Sequence, residues 1–267
     1  MRVDFNRRDL VHRLLDGNRM RTGTGVFVTG TDTGVGKTVV SSALVRRLVQ
    51  AGCSVGVMKP VETGVPSEQL SESDAGRLIA AAGVDDGLDL ISPYRFPAPL
   101  APLAAASAQG IVIEMQEIVR RYGRLAARYS CVVVEGAGGL LVPMGKDLDM
   151  SDLMIRLGLP VVLVGRAGLG GINQALLTLE ALERRHIAVI AVLVNETEPS
   201  VTAVQQEQCA STVTLLRARA GVPVLGPLPC QPKLDHDWRA AVERLAQSSS
   251  IKELADLVWK ETAGTLG

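Results

Sequence analysis

Aromatic side chains are scarce, with Phe, Trp and Tyr making up only 3% of the 267 residues. The core must therefore come from Ala, Val, Leu and Ile, within a chain that is 47% hydrophobic. Net charge is missing as well. Lys+Arg and Asp+Glu both number 28, so nothing favours a nucleic-acid backbone or an anionic membrane as partner. No apolar run is long enough to span a bilayer. The four cysteines, Cys53, Cys131, Cys209 and Cys230, are scattered without a C-x-x-C pair, which suits a reducing, cytoplasmic setting. Three histidines, His12, His186 and His236, stand too far apart for metal-ligand spacing. The start of the chain lacks the apolar centre of a signal peptide and mixes Arg with Asp. Residues 1–22 read as an N-terminal extension, helical or disordered, or as a stretch upstream of a true start at Met20. Residues 23–267 are enough for one large α/β domain.

What is present is organised around Gly30-Thr31-Asp32-Thr33-Gly34-Val35-Gly36-Lys37-Thr38. The apolar run Gly25-Val26-Phe27-Val28-Thr29 before it predicts a buried strand, and the stretch from Val39 to Val49 predicts a helix. Strand, glycine loop and helix is the arrangement that wraps a triphosphate. Loop N–H groups point inward, and the helix start adds about half a positive charge. Lys37 can reach the outer phosphates, and the Thr38 hydroxyl can sit on Mg²⁺. The loop carries one residue more than the usual spacing, with Thr31 where the first glycine normally stands.

Further apolar runs follow at sheet spacing. Ser54–Met58 predicts a strand that delivers Lys59-Pro60-Val61-Glu62-Thr63-Gly64 to its C-terminal end, the edge where open parallel sheets bind ligands. Ser73 is a plausible N-cap for a helix beginning at Asp74; Asp74 is either a first-turn dipole residue or a ligand. Pro93–Pro102 reads as an ordered, proline-rich loop, and Ile113–Arg128 as a helix. Cys131-Val132-Val133-Val134 ends in Glu135-Gly136-Ala137-Gly138-Gly139. An acid at the end of a buried strand needs a cation nearby, either Mg²⁺ or a structural salt-bridge partner. Ser151-Asp152-Leu153 reads as a helix cap. Pro160–Gly165 predicts a strand, and Gly168-Leu169-Gly170-Gly171-Ile172-Asn173 opens a helix from Gln174 to Arg185. That start is either an anion site or a tight turn. A strand over Ile187–Val194, a helix over about Val201–Ala220, a short strand near Val222–Pro229 and a terminal helix over Ile251–Lys260 complete the pattern. The β-α alternation predicts a doubly wound, mostly parallel sheet with helices on both faces in a single P-loop NTPase-like domain.

These motifs, in this order, resemble dethiobiotin synthetase, the ATP-dependent cyclising enzyme of biotin biosynthesis. The landmarks are the loop at Gly30–Thr38, Lys59–Gly64, Glu135–Gly139, and Leu169-Gly170-Gly171-Ile172-Asn173. The resemblance runs from Val26 to about Pro229. It implies that 7,8-diaminopelargonic acid, CO₂ and Mg·ATP give dethiobiotin, ADP and phosphate. A carbamate attacks the γ-phosphate, and the second amine closes the ureido ring on the resulting anhydride. It implies that Lys59 and Lys37 are catalytic. Thr33, Gly34, Val35, Gly36, Lys37, Thr38 and Val39 would cradle phosphate, with Gly136, Ala137 and Gly138 beside the ligand. Thr38, Asp74 and Glu135 would hold Mg²⁺. Asn195 would read adenine, with Glu196, Pro229, Cys230 and Gln231 around the base. Thr63 would touch the carbamate end, while Gly170, Gly171 and Asn173 of the other subunit of a homodimer would take the substrate carboxylate. Two departures stand out: Gly34 replaces a glutamate common in relatives, and Val201–Leu216 lacks the tyrosine that some relatives place at the carboxylate.

Rival readings fit less well. A ParA/MinD-like dimeric switch ATPase needs a lysine where this loop has Asp32. A GTPase needs Asn-Lys-x-Asp where this chain has Asn195-Glu196-Thr197. A cobyrinate-type amidating enzyme needs a glutaminase module for which no length remains.

Overall fold

The computed structural model describes residues 24–65, 68, 70–231, 234 and 237–263. The reading of residues 1–22 therefore lies outside the described residues.

Six strands form the main sheet: β1 (Gly25–Gly30), β2 (Val55–Met58), β5 (Cys131–Gly139), β6 (Val161–Arg166), β7 (Val189–Asn195) and β8 (Val224–Leu228). Their order is β2-β5-β1-β6-β7-β8, and every neighbouring pair is parallel. A parallel sheet covered on both faces needs strands that are apolar throughout, which is why these runs were continuous in the sequence. Successive side chains still go to opposite faces. Val26 and Val28 enter one core with Val133, Val162 and Val164, while Phe27 enters another with Val132, Val134 and Val161.

Helices cover both faces. On the first lie α1 (Lys37–Gln50) and α2 (Asp74–Ala82), joined near the C-terminus by α9 (Trp238–Ala246) and α10 (Ser249–Ala263). On the second lie α5 (Met115–Ala126) and α6 (Met150–Leu157), followed along the sheet by α7 (Gly171–Arg184) and α8 (Ala203–Arg219). Short helices α3 (Leu88–Ile91) and α4 (Pro102–Ala108) fill the connection between α2 and α5.

Three expectations change. The proline-rich segment is not only loop: Tyr94–Phe96 forms β4, which pairs with β3 (Val61–Thr63) as a separate two-stranded parallel sheet. Flanking prolines leave three residues between them free to pair, and Arg95 braces the strand by donating to the Leu88 and Ser92 carbonyls and the Asp89 carboxylate. Ser151 and Asp152 lie inside α6; the cap is Asp149, whose carboxylate accepts the Ser151 N–H while Asp152 reaches back to the Asp149 N–H. Helix α9 carries apolar spacing (Ala241, Val242, Leu245, Ala246) that the sequence reading passed over.

β1 is central, flanked by β5 and β6, so the loops at its C-terminal end open into the crevice where parallel sheets bind ligands. Its neighbourhood is tightly packed but not fully satisfied. Tyr122 on α5 is buried, and its hydroxyl has no hydrogen-bond partner. A buried unpaired hydroxyl costs about 1–3 kcal/mol. Tyr122→Phe is therefore expected to leave stability to urea unchanged or raise it, whereas Leu44→Ala in the first core should lose about 2–5 kcal/mol. A loss for Tyr122→Phe as large as that for Leu44→Ala would show a partner for the hydroxyl.

Candidate functional site

The loop between β1 and α1 turns tightly because Gly34 and Gly36 adopt positive φ, 74° and 92°. Gly36 has a second reason to lack a side chain. A Cβ there would lie 2.2 Å from Asn195 Nδ2, and that amide donates to the Val35 carbonyl at 3.0 Å. The end of β7 is thus tied to the loop. Lys37 folds back over the loop, donating to the Asp32 carbonyl at 2.9 Å. The Asp32 carboxylate accepts the Thr33 N–H at 2.7 Å, so Asp32 shapes the loop.

Four segments meet beside the loop. Lys59, at the end of β2, lies 2.6 Å from Glu135 Oε1 and 2.7 Å from Asp74 Oδ2, and donates to the Gly136 carbonyl at 3.2 Å. Lys59 is 2% exposed and Glu135 0%. Thr38 Oγ1 lies 2.7 Å from Asp74 Oδ1 and 2.9 Å from Glu135 Oε1; its single hydrogen can serve one at a time. A buried ammonium in isolation would lose its proton. Burial does push Lys59 down, but Glu135 and Asp74 outweigh it and hold the ammonium above its ordinary range. Burial pushes Asp74 up, and the charge and hydrogen bond of Lys59 overcome it, leaving Asp74 below its ordinary value.

Lys37 differs because, among the described residues, no carboxylate is in contact with it. Burial, then repulsion from Lys59, lowers it to about 8. The two lysines are thus tuned apart: Lys59 is held as a cation, while Lys37 titrates closer to neutral pH than an ordinary lysine.

The cluster fits a hard divalent cation. Glu135 Oε2 is buried without a partner, an oxygen available to a further cation. Two carboxylates and a hydroxyl are the oxygen donors that Mg²⁺ takes, with phosphates and water completing its shell. Among the described residues no group of three or more His, Cys, Asp or Glu could hold a metal without such help.

A cavity of about 400 Å³ opens beside the loop. It is lined by Gly34, Gly36, Val39, Asn195, Glu196, Pro229, Cys230 and Gln231, all anticipated from sequence, and by Thr197 and Leu234, which were not. Thr197 follows Glu196 and Leu234 lies three residues beyond Gln231, and only their approach to the loop singles them out. Gly136, Ala137 and Gly138 continue β5 past Glu135. Thr63 closes β3. Gly170 caps α7 with φ 85° and no side-chain cap, with Gly171 and Asn173 in the first turn. Among the described residues, Gly170, Gly171 and Asn173 share no hydrogen bond with the Lys59 cluster.

Against known proteins, the family described as an AAA domain matches residues 24–237. An ATP-dependent dethiobiotin synthetase from Anaeromyxobacter sp. (strain K) is 52% identical over 176 residues, covering 66% of this chain and 78% of that relative. The chain belongs to the dethiobiotin synthetase family. The synthetase named from Thermodesulfovibrio yellowstonii is 40% identical over 222 residues, covering 80% of this chain and 91% of the relative. Among solved structures, the MinC:MinD complex from Aquifex aeolicus aligns with TM-score 0.53 at 14% identity, covering 90% of this chain and 96% of that one. A ParA family ATPase from Chlorobium tepidum aligns with TM-score 0.50 at 13% identity, covering 86% and 98%. At such identity these two share the fold alone with the dethiobiotin synthetase family member described here.

The tuning of Lys37 has a measurable sign. Its pKa is about 8 without ligand, and a bound polyphosphate raises it. Affinity for magnesium-free nucleotide should therefore be full below that pH and fall by up to about tenfold per pH unit above it. Calorimetry in buffers of different ionisation enthalpy should detect proton uptake on binding at pH ~9 and almost none at pH ~6.5. Absence of uptake even at pH ~9 would show that Lys37 is already charged there and contradict its lowered pKa.

Proposed function

We propose that the chain is an ATP-dependent dethiobiotin synthetase: it carboxylates 7,8-diaminopelargonic acid with CO₂ and closes the ureido ring at the expense of ATP. The observation that carries this is the Lys59 ammonium, buried between Asp74 and Glu135 and one bond network away from the phosphate loop. A carbamate and a triphosphate are both anionic. Chemistry between them needs fixed positive charge at the meeting point.

In this reading Lys37 and the N–H groups of Thr33–Val39 bind the phosphates. Lys59 faces the oxygens exchanged between carbamate and phosphoryl group, and Thr63 offers a hydroxyl to the carbamate. Thr38, Asp74 and Glu135 would hold Mg²⁺, which when bound offsets phosphate charge. One amine adds to CO₂ and loses a proton, leaving a carbamate. Its oxygen displaces ADP at the γ-phosphorus, giving a carbamic-phosphoric anhydride. The second amine then attacks the carbamoyl carbon, phosphate leaves, and the ring is closed. Asn195, Glu196, Pro229, Cys230 and Gln231 surround the adenine in the cavity described above. Gly170, Gly171 and Asn173 take the distal carboxylate at the start of α7, contributed by the partner in a homodimer. Residues 23–267 act as the enzyme domain, in a cytoplasmic setting.

The partition-ATPase alternative gains only the shared fold. Asp32 stands where that mechanism needs a lysine, and it is occupied in shaping the loop.

The direct test is ADP release with diaminopelargonate and bicarbonate, with and without the diamine; release independent of the diamine would overturn the reading. Lys59→Ala should leave nucleotide binding in place while turnover falls by about 10²-fold to 10³-fold or more. A near wild-type rate would remove Lys59 from the mechanism. Glu135→Gln should raise the Mg²⁺ concentration needed for half-maximal rate, and an unchanged magnesium titration would make Glu135 structural.

A further inference from the structure

Glu62 is a buried carboxylate that the mechanism above does not use. It is 4% exposed and sits on β3, one residue before Thr63. Among the described residues no basic side chain forms an ion pair or hydrogen bond with it; its partners are backbone N–H groups. Its Oε1 accepts the Asp74 N–H at 2.5 Å, and its Oε2 accepts the Ala75 N–H at 3.3 Å. The next N–H along, that of Gly76, is taken by the Ser73 hydroxyl at 3.1 Å. The first three donors of α2 are therefore saturated from within the chain, so this helix start is no anion site. A carboxylate at a helix N-terminus is favourable, but Ser73 already supplies an ordinary cap. A second, buried, charged cap calls for another reason.

That reason lies in what Asp74 must do. Its carboxylate faces Lys59 and Thr38, while its own N–H is held by Glu62. Main chain and side chain of the same residue are thus pinned from opposite sides. The strand that carries Glu62 is itself braced: Glu62 pairs in register with Arg95 of β4, and Arg95 is anchored to the Leu88 and Ser92 carbonyls. Rigidity passes from the small sheet through Glu62 to Asp74.

We propose that Glu62 is a positioning residue for the divalent cation: it fixes Asp74 in the orientation that ligates the metal and ties that ligand to the strand presenting Thr63. This rests on the synthetase reading of the site, in which Asp74 is a Mg²⁺ ligand. Outer partners that orient metal ligands typically matter by about 10-fold to 100-fold in metal affinity. Glu62 acts through Asp74 and touches neither substrate nor metal.

The test uses Mn²⁺ as the probe, read by electron paramagnetic resonance on the full chain with ADP present. Glu62→Ala should weaken Mn²⁺ binding by about 10-fold to 100-fold while nucleotide affinity measured without metal is unchanged. Glu62→Gln keeps one oxygen acceptor and the same volume, and should fall between the two. In the metal-free proteins, amide exchange at Asp74 and Ala75 should speed up in the same order. Variants that melt at lower temperature yet bind Mn²⁺ like the wild type would overturn the inference and leave Glu62 a structural cap. A wild-type protein that binds no Mn²⁺ would overturn it through the underlying reading of the site.

Discussion

Burying an ammonium and a carboxylate together, with a second, partly exposed carboxylate at their edge, is the constraint on which the rest of the site depends. Each of these charges taken from water alone costs several kcal/mol. Lys59, Asp74 and Glu135 are tolerable only as a set, at contact distances and with Thr38 and the Gly136 carbonyl filling remaining hydrogen bonds. Counting Thr38, the cluster draws one member each from the end of β2, the middle of β5 and the starts of α1 and α2. No element can shift without separating charges inside the protein. The parallel sheet, apolar on both faces, supplies the rigid floor that makes such exact placement cheap.

The cluster also carries an inherent competition. Lys59 shares Asp74 and Glu135 with the position proposed for Mg²⁺. In the ligand-free protein the lysine contacts both acids, and among the described residues Glu135 Oε2 has no partner. When a divalent cation and a triphosphate enter together, the lysine can exchange carboxylate contacts for phosphate or carbamate oxygens. In the proposed mechanism, the stored partner of Lys59 is the group it would release to reach substrate. Lys37, lowered to about 8 by burial and by Lys59, stands ready for the same arriving charge. Glu62, as proposed above, would keep Asp74 from swinging away during this exchange.

Much of this was legible in the sequence, for identifiable reasons. Buried parallel strands are apolar throughout, so β1, β5, β6 and β7 stood out as runs. The phosphate loop is contiguous and carries its own chemistry. The convergence of Lys59, Asp74, Glu135 and Thr38 is different: these residues are distant in the chain, and only resemblance to a family grouped them. Elements stabilised by context escaped. β4 is three residues between prolines, and its partner β3 is no longer. The Asp149-x-x-Asp152 box was present but was read two residues late, at Ser151. Glu62 lies inside a motif that was noticed, yet its partners are the backbone N–H groups of α2, which no side-chain pattern announces.

In the proposed site, Lys59 and a divalent cation compete for one pair of acids. The most direct measurement is Mg²⁺ binding to the nucleotide-free protein by calorimetry, comparing wild type with Lys59→Met. Removing the resident cation should make Mg²⁺ bind more tightly. Equal or weaker binding by Lys59→Met would contradict the account.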